Sequence, residues 1–130
     1  MIKHGYFYWN ELMTRDVQKT KDFYTSTLGW TFKDMPMGDG STYTLIVDGE
    51  TNIGGVMNMA GNPQFEGVPE GWVAYIAVDD IDAAVAKVAN AGGTVAQPPF
   101  DVPGVGRIAM IQQPGGAMIG WMTPPDMAPA

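Results

Sequence analysis

The sequence contains no cysteine and a single histidine, His4, among its 130 residues. Without cysteine it has no disulfide, no zinc–thiolate site and no thiol nucleophile. With one histidine it cannot build a metal site that needs two or three imidazoles, and serine–histidine–aspartate chemistry would depend on His4 alone. Charged residues are also scarce, at 16% of the chain, whereas glycine and methionine number 17 and 10. The composition therefore combines few metal-binding or nucleophilic side chains with an excess of glycine and methionine.

The few charges are unbalanced, because 14 acidic residues face 7 basic ones and the formal net charge is −7. This sign disfavours binding to nucleic-acid phosphates or to an anionic membrane surface. No apolar run approaches the roughly 18 residues of a membrane span. The first residues also lack the apolar stretch of a signal peptide. We therefore expect a cytoplasmic protein that binds neither nucleic acid nor membrane.

The first half of the chain shows the order strand, helix, strand, strand, strand. The aromatic run at residues 6–14 favours a strand, and Asp16 has the position of a helix N-cap. Apolar residues then recur at helical spacing up to Gly29, a residue type that commonly ends helices. Further strands are predicted at residues 30–33, 43–47 and 53–57.

The second half repeats this order. Asp80 is the predicted cap of a second helix ending at Gly92 and Gly93, and it lies 64 residues after Asp16. An internal duplication explains the repeat. Strands are predicted at residues 71–78, 94–96, 107–112 and 117–122. The predicted organisation is one domain over 1–123, with a first module at about 3–60, a linker and candidate flap at 59–71, a second module at about 71–123, and a proline-rich, frayed tail at 124–130.

Three motifs accompany these modules: Asp-Val-x-x-x-x-x-Phe-Tyr at 16–24 followed by Leu-Gly-Trp, Val-Asp-Asp-Ile-Asp-Ala-Ala at 78–84, and Gln-Pro-Gly-Gly-Ala at 113–117. Over residues 3–123 the chain thereby resembles the vicinal oxygen chelate superfamily, which includes glyoxalase I, extradiol dioxygenases and bleomycin-resistance proteins. Residues 8–16 are most similar to its hydroxylase-like, metal-free branch. The resemblance implies an α+β fold in which two paired βαβββ modules form curved mixed sheets around a cup, with the helices outside.

The resemblance also implies where metal-dependent members hold their ion, on the first and fourth strands of each module. The first-strand position lies seven residues before the capping aspartate, and the fourth-strand position lies six residues after the turn proline. Here these rules give Trp9, Val73 and Gly120, and Gly55 is assigned as the repeat partner of Gly120, with one extra residue in the offset. None of these residues has a side-chain oxygen or an imidazole. We therefore expect no metal ligand and no cofactor.

Side chains two residues apart on a strand share a face, so the neighbours of these positions are expected to line the cup. The predicted ligand-binding residues are mostly aromatic residues, methionines and glycines: Phe7, Trp9, Met13, Gly55, Met57, Val73, Tyr75, Met118, Gly120 and Met122. Methionine adapts to irregular ligands, and glycine lets a ring approach the backbone closely. The expected guest is a small planar or aromatic molecule. The alternative is that these residues are ordinary core.

Glu11 falls on the same strand face and is the candidate catalytic residue. A carboxylate on a concave apolar face is costly unless it is paired or protonated, and a general base could use such an environment. The alternative is a structural role in which Glu11 pairs with Lys3, Arg15 or Arg107, or accepts a backbone hydrogen bond. Arg107 is also a candidate for binding an anionic group.

Three functions are compatible with this pattern. The first is a metal-free protein that binds a small molecule, as drug-sequestering resistance proteins do. The second is a metal-independent isomerase, lyase or hydroxylase-type enzyme with Glu11 as general base. The third is a metal-dependent glyoxalase or dioxygenase, which the four replaced ligand positions disfavour. A homodimer is expected, since a protein of this size leaves sheet edges and aromatic surface uncovered.

Overall fold

A computed structural model describes residues 2–38, 40–102 and 105–127, apart from the side chain of Asp126. The elements are β1 (Phe7–Thr14), α1 (Val17–Leu28), β2 (Thr31–Pro36), β3 (Thr42–Asp48), β4 (Thr51–Asn58), β5 (Gly71–Ala77), α2 (Ile81–Val85), β6 (Thr94–Val102), β7 (Gly106–Gln112) and β8 (Met118–Thr123), with single 3₁₀ turns at Pro63–Phe65 and Pro125–Met127. The βαβββ order is present twice, so the predicted α+β class is confirmed.

The chain divides into two compact units. The N-terminal unit is Trp9–Trp72, and the C-terminal unit combines Met1–Tyr8 with Val73–Ala130. The strand order is β2-β3-β4-β1 in the N-terminal unit and β5-β8-β7-β6 in the C-terminal unit. In each order the first strand of the repeat runs parallel to the fourth. The predicted fourth-strand positions Gly55 and Gly120 lie beside Glu11 and Tyr75, each two residues after the predicted first-strand position.

In the N-terminal unit, α1 begins and ends where the sequence predicts. The Asp16 carboxylate accepts a hydrogen bond from the Lys19 backbone amide at 3.0 Å, which satisfies a donor that the helix leaves unpaired. Gly29 adopts a left-handed φ of 73° and its amide returns to the carbonyl of Thr25. No residue of α1 is fully buried, and Phe23 and Leu28 remain 58% and 60% exposed. This helix therefore covers its sheet only lightly.

The C-terminal unit has a continuous buried core. Val78, Ile81, Val88, Ala109 and Ile111 form one buried cluster on which Trp121 and other half-buried apolar residues pack. The equivalent cap is also present, since Asp80 accepts from the Ala83 amide at 3.1 Å. The repeat in the sequence therefore corresponds to a repeat in local structure.

Two element boundaries in the C-terminal unit differ from the predicted ones. Helix α2 ends at Val85 instead of near Gly92, because the following amides bond to carbonyls three residues back and form tighter turns. These turns bring Val88 into the buried cluster. Strand β6 continues to Val102 instead of stopping at Ala96. It carries Pro98 and Pro99 because it is the edge strand and its pairing with β7 is irregular there.

The predicted tail is partly ordered. Pro124 is buried, and Pro125–Met127 form a 3₁₀ turn closed by a bond from the Met127 amide to the Pro124 carbonyl, so the frayed tail predicted from Pro124 onward is wrong for these residues. Residues 128–130 lie outside the described part of the chain. Neither helix that the structure describes is long and apolar enough to cross a membrane.

The cap of α1 gives a direct test of the structural role of Asp16. We expect Asp16→Ala to lower the free energy of unfolding by about 1 kcal/mol, because the Lys19 amide loses its acceptor. Asp16→Asn retains a side-chain oxygen at the same place and should stay close to wild type. Urea unfolding of both variants measures the difference. Equal losses in the two variants would assign the effect to charge instead of capping.

Candidate functional site

The predicted site residues of the N-terminal unit lie on one face of its sheet. Every second residue of β1 lies on this face: Trp9, Glu11 and Met13. The strand register pairs Glu11 with Gly55 and Met13 with Met57. Glu11 is 5% exposed. Trp9, Met13 and Met57 are half-buried. A buried carboxylate is thus surrounded by apolar side chains that keep part of their surface open.

Tyr43 of β3 connects Trp9 to Glu11. The Trp9 indole Nε1 donates to the Tyr43 hydroxyl oxygen at 3.2 Å, and that hydroxyl donates to Glu11 Oε2 at 2.7 Å. An indole N–H can only donate, so the Tyr43 oxygen accepts from Trp9 and the Tyr43 hydroxyl donates in turn to Glu11. Burial, together with the neighbouring Glu11 carboxylate, raises the pKa of Tyr43 far above its ordinary value. The phenol therefore keeps its proton and remains a donor to Glu11.

The Tyr43 ring lies directly over Gly55. A methyl group at position 55 would come within 1.7 Å of the Tyr43 hydroxyl oxygen and 2.4 Å of Cζ, far inside any real contact. β3 and β4 are antiparallel and Leu45 is the register partner of Gly55, so Tyr43 reaches the glycine diagonally. The space that glycine leaves on this face is filled by a ring of the protein itself. Ligand binding at Gly55 stays a prediction.

The C-terminal unit shows the same contact with different residues. Tyr75 of β5 is the register partner of Gly120 on β8, and a methyl group at position 120 would lie 2.4 Å from the Tyr75 ring. The Tyr75 hydroxyl lies 3.7 Å from the sulfur of Met110. Tyr75 is 64 residues after Glu11, so the repeat places a tyrosine where the first unit has its carboxylate.

The other predicted residues of the C-terminal unit differ widely in exposure. Met122 is 2% exposed and pairs with Ala77, which is the environment of a core residue. Val73 is half-buried. Met118 and Phe7 are 46% and 71% exposed. The role of these residues in ligand binding remains a prediction.

Sequence reasoning missed Tyr43 and Met110. Both lie on the third strand of their unit, which the metal-ligand pattern does not include. A signal for Tyr43 was available, because an aromatic residue two positions from the register partner of a strand glycine commonly covers that glycine. Using it would have required the register between β3 and β4, which the sequence alone leaves open.

The two arginines predicted as alternative partners of Glu11 have other contacts. Arg15 donates to the carbonyls of Phe65 and Val68 at 2.7 and 2.8 Å. Arg107 holds Asp82 through two hydrogen bonds of 2.9 and 3.0 Å and lies 3.3 Å from Asp101. The Arg107 hydrogen bonds keep the pKa of Asp82 below its usual value. The expectation that Arg15 or Arg107 pairs with Glu11 is replaced by the Tyr43 bond.

His4 is exposed, as expected, and its Nδ1 lies 3.1 Å from the Asp79 amide and from the Asp79 carboxylate. It therefore ties the start of the chain to the loop before α2. The predicted linker at 59–71 is also tied down, by the Arg15 bonds, by a hydrogen bond from Thr14 to Glu70 and by the burial of Met59. Movement of this segment as a flap remains a prediction.

The four implied metal positions do not fit an ion. Trp9 offers an indole N–H that is already donated to Tyr43, Val73 offers a hydrocarbon, and Gly55 and Gly120 are covered by tyrosine rings. Among the described residues there is also no group of three or more His, Cys, Asp or Glu side chains that could hold a metal. These positions therefore provide no ligand set for a metal ion.

A repeated βαβββ unit whose fourth strand lies beside its first defines this protein as glyoxalase-like in class. The chain belongs to the Glyoxalase/Bleomycin resistance protein/Dioxygenase superfamily, whose family model matches residues 7–120.

Two curated relatives are similar along most of this chain. A Mycobacterium tuberculosis protein with the provisional name glyoxylase CFP32 is 39% identical over 120 residues, which are 92% of this chain and 44% of the relative. The anthracycline biosynthesis protein DnrV of Streptomyces peucetius is 34% identical over 119 residues, which are 84% of this chain and 43% of the relative. This chain thus spans less than half the length of these relatives.

Solved structures support the same fold. Methylmalonyl-CoA epimerase from Mycobacterium tuberculosis has a TM-score of 0.61 at 18% identity, over 92% of this chain and 87% of the epimerase chain. A hypothetical protein from Bacillus halodurans has a TM-score of 0.66 at 14% identity, over 93% and 95% of the two chains. At these identities the likeness is one of fold.

The contact between Tyr43 and Gly55 predicts a large penalty for one added methyl group. We expect Gly55→Ala to lower the free energy of unfolding by about 1–3 kcal/mol, because the Tyr43 ring must leave its place and its two hydrogen bonds. Gly71→Ala is the matched control, since a methyl group there meets no atom within 4 Å. Its effect should stay within about 0.5 kcal/mol. Urea unfolding measures both free energies of unfolding. Equal stability of the two variants would contradict the close approach of the Tyr43 ring to Gly55.

Proposed function

We propose that this protein binds a small planar or aromatic molecule, without a metal, on the sheet face that carries Trp9, Glu11 and Met13. The observation that carries the proposal is the set of side chains on this face. The positions that hold metal ligands in the superfamily have no donor atoms free for an ion, while half-buried Trp9, Met13 and Met57 surround a buried carboxylate. Indole and thioether groups are suited to flat, polarizable ligands.

The relatives support this choice of ligand class. DnrV is named for anthracycline biosynthesis. Binding a flat molecule would use an apolar face with few polar groups, which is the arrangement in the N-terminal unit. Within the C-terminal unit, taken by itself, Phe7, Val73 and Met118 are proposed as ligand contacts, and the buried Tyr75, Gly120 and Met122 as the residues that support them.

A second candidate function is metal-independent catalysis with Glu11 as general base, in an isomerase, lyase or hydroxylase-type reaction. The observation in its favour is the burial of Glu11 together with a fixed hydrogen-bond donor. A carboxylate held in one orientation on an apolar face can accept a proton from a bound molecule. The second candidate function requires the first, because the protein must bind a substrate before Glu11 can act on it.

The proposal includes a cytoplasmic homodimer. The exposed aromatic and aliphatic residues Phe23 and Leu28 of α1 are apolar surface of the kind that subunits cover. Sedimentation measurements at several protein concentrations test the oligomeric state, and a single species with the mass of one chain would contradict it.

Ligand binding is tested with a thermal-shift screen of planar aromatic molecules, followed by a structure of the complex. A true ligand should raise the melting temperature in proportion to its affinity. Trp9→Ala should weaken binding by roughly tenfold, because a stacking surface is lost.

Trp72→Ala is the matched control, since Trp72 packs against Tyr24 and Trp30 instead of Tyr43. Equal weakening by both variants, or ligand density away from the Trp9 face, would contradict the proposal. One equivalent of tightly bound nickel or zinc per chain would contradict its metal-free character.

The catalytic candidate is tested by Glu11→Gln once a substrate is known. The amide keeps the size of the side chain but cannot accept the proton, so turnover should fall by roughly 100-fold or more while affinity changes little. Glu50→Gln removes a carboxylate on the exposed β3–β4 turn and should leave turnover unchanged. Turnover that survives in Glu11→Gln would exclude Glu11 as the base.

A further inference from the structure

Four aromatic side chains form a connected cluster at the surface of the N-terminal unit: Phe23, Tyr24, Trp30 and Trp72. Tyr24 lies at its centre, stacked on Trp30 with the ring centroids 4.6 Å apart. Phe23 and Trp72 each meet Tyr24 edge to face, at centroid distances of 4.9 and 6.0 Å. Phe23 and Trp72 are nevertheless 58% and 47% exposed. The cluster is therefore held in place by its own ring contacts while a large apolar area stays in contact with solvent.

The geometry of the cluster disfavours a small molecule as its occupant. The stacked rings of Tyr24 and Trp30 fill the space between each other, so no ligand fits between them. A ligand lying only on the outside would keep much of its own surface in water, whereas small-molecule sites enclose most of their ligand. Aromatic side chains that are fixed and exposed are typical of the central residues of protein–protein interfaces. The aromatic cluster therefore fits the surface of another protein.

The charges around the cluster indicate which protein fits it. The chain has a net charge of −7, yet residues 23–32 contain no charged residue and Trp72 lies in the uncharged run 71–78. Asp22, which directly precedes the first run, accepts a hydrogen bond from Gln18 at 2.9 Å. A basic partner would be attracted to acidic surface and would gain no ion pair from these uncharged runs. A second copy of the chain is repelled by acidic surface and can approach closely where the surface is neutral.

We propose that the aromatic cluster is the contact surface between two copies of this chain, with Phe23 and Trp72 as the residues that contribute most to the association. In a two-fold contact the same patch meets itself, so an apolar, uncharged patch is complementary to its own copy. The longer relatives are consistent with a partner of this size, because more than half of each relative lies outside the region similar to this chain. This inference rests on the homodimer of the proposed function and assigns its surface.

Hydroxyl-radical footprinting of the wild type tests this surface without a variant. Phe23 and Phe100 of β6 are 58% and 38% exposed in the single chain, so a monomer should be oxidised faster at Phe23. The proposed dimer reverses this order, because Phe23 is covered. Where sedimentation gives the mass of two chains, Phe23 should react at least roughly threefold more slowly than Phe100, since the centre of an interface excludes water. Each rate is divided by the rate at the same residue in the urea-unfolded chain.

Phe23→Glu tests the contribution of the cluster to the association. A two-fold contact contains the new carboxylate twice, so the dissociation constant of the dimer should rise at least roughly a hundredfold. Phe100→Glu is the matched control, because it makes the same change at another exposed phenylalanine, and its dissociation constant should stay within roughly threefold of the wild type. Sedimentation at several protein concentrations measures both, and circular dichroism verifies that each variant is folded.

The outcomes separate this surface from the rest of the proposed function. A monomeric wild type would overturn the homodimer and this surface together, and it would leave the proposed ligand binding standing. A dimer in which Phe23 reacts faster than Phe100 would overturn the surface alone, and so would equal weakening by the two variants. If Phe23→Glu does not fold, the footprint of the wild type decides.

Discussion

The contact of a tyrosine ring with a strand glycine is the constraint on which the site depends. In the N-terminal unit the Tyr43 ring can approach Gly55 only because no Cβ is present, and the same holds for Tyr75 and Gly120 in the C-terminal unit. Seating the ring on the sheet brings its hydroxyl to the level of the neighbouring side chains. In one unit that hydroxyl reaches Glu11, and in the other it reaches Met110. A ring–glycine contact thus places a tyrosine hydroxyl beside a carboxyl group in one unit and beside a thioether in the other.

The burial of Glu11 follows from this contact. A carboxylate at 5% exposure would be costly without donors, and the Tyr43 hydroxyl supplies one at 2.7 Å. Trp9 prevents the phenol from turning its oxygen away, because the indole N–H needs that oxygen as its acceptor. Among the described residues, no buried side-chain nitrogen or oxygen lacks a hydrogen-bond partner. The polar chain on this face is therefore compatible with a stable fold as well as with ligand binding.

Much of the fold could be predicted because its signals are local. Asp16 and Asp80 cap helices through bonds to amides three residues ahead, and Gly29 ends α1 through its own backbone geometry. The errors were at places where tertiary packing decides. Val88 reaches the core through tighter turns that shorten α2, and the edge position of β6 tolerates two prolines. For the site, the alternation of side chains along a strand predicted that Trp9, Glu11 and Met13 share one face. Tyr43 did not, because its meeting with Glu11 depends on strand register.

The tyrosine–glycine contacts also constrain how this sequence can change. Restoring a chelating side chain at position 55 or 120 would require a Cβ where a tyrosine ring now lies. A histidine or glutamate introduced there alone would displace Tyr43 or Tyr75 before it could contribute a metal ligand. Removing the tyrosine first would leave a void, and at Tyr43 it would also take the hydroxyl donor from Glu11. Each order of single substitutions passes through a destabilised intermediate, so each glycine and the tyrosine that covers it constrain each other. A chelating side chain at position 55 or 120 would therefore need a paired replacement of the tyrosine.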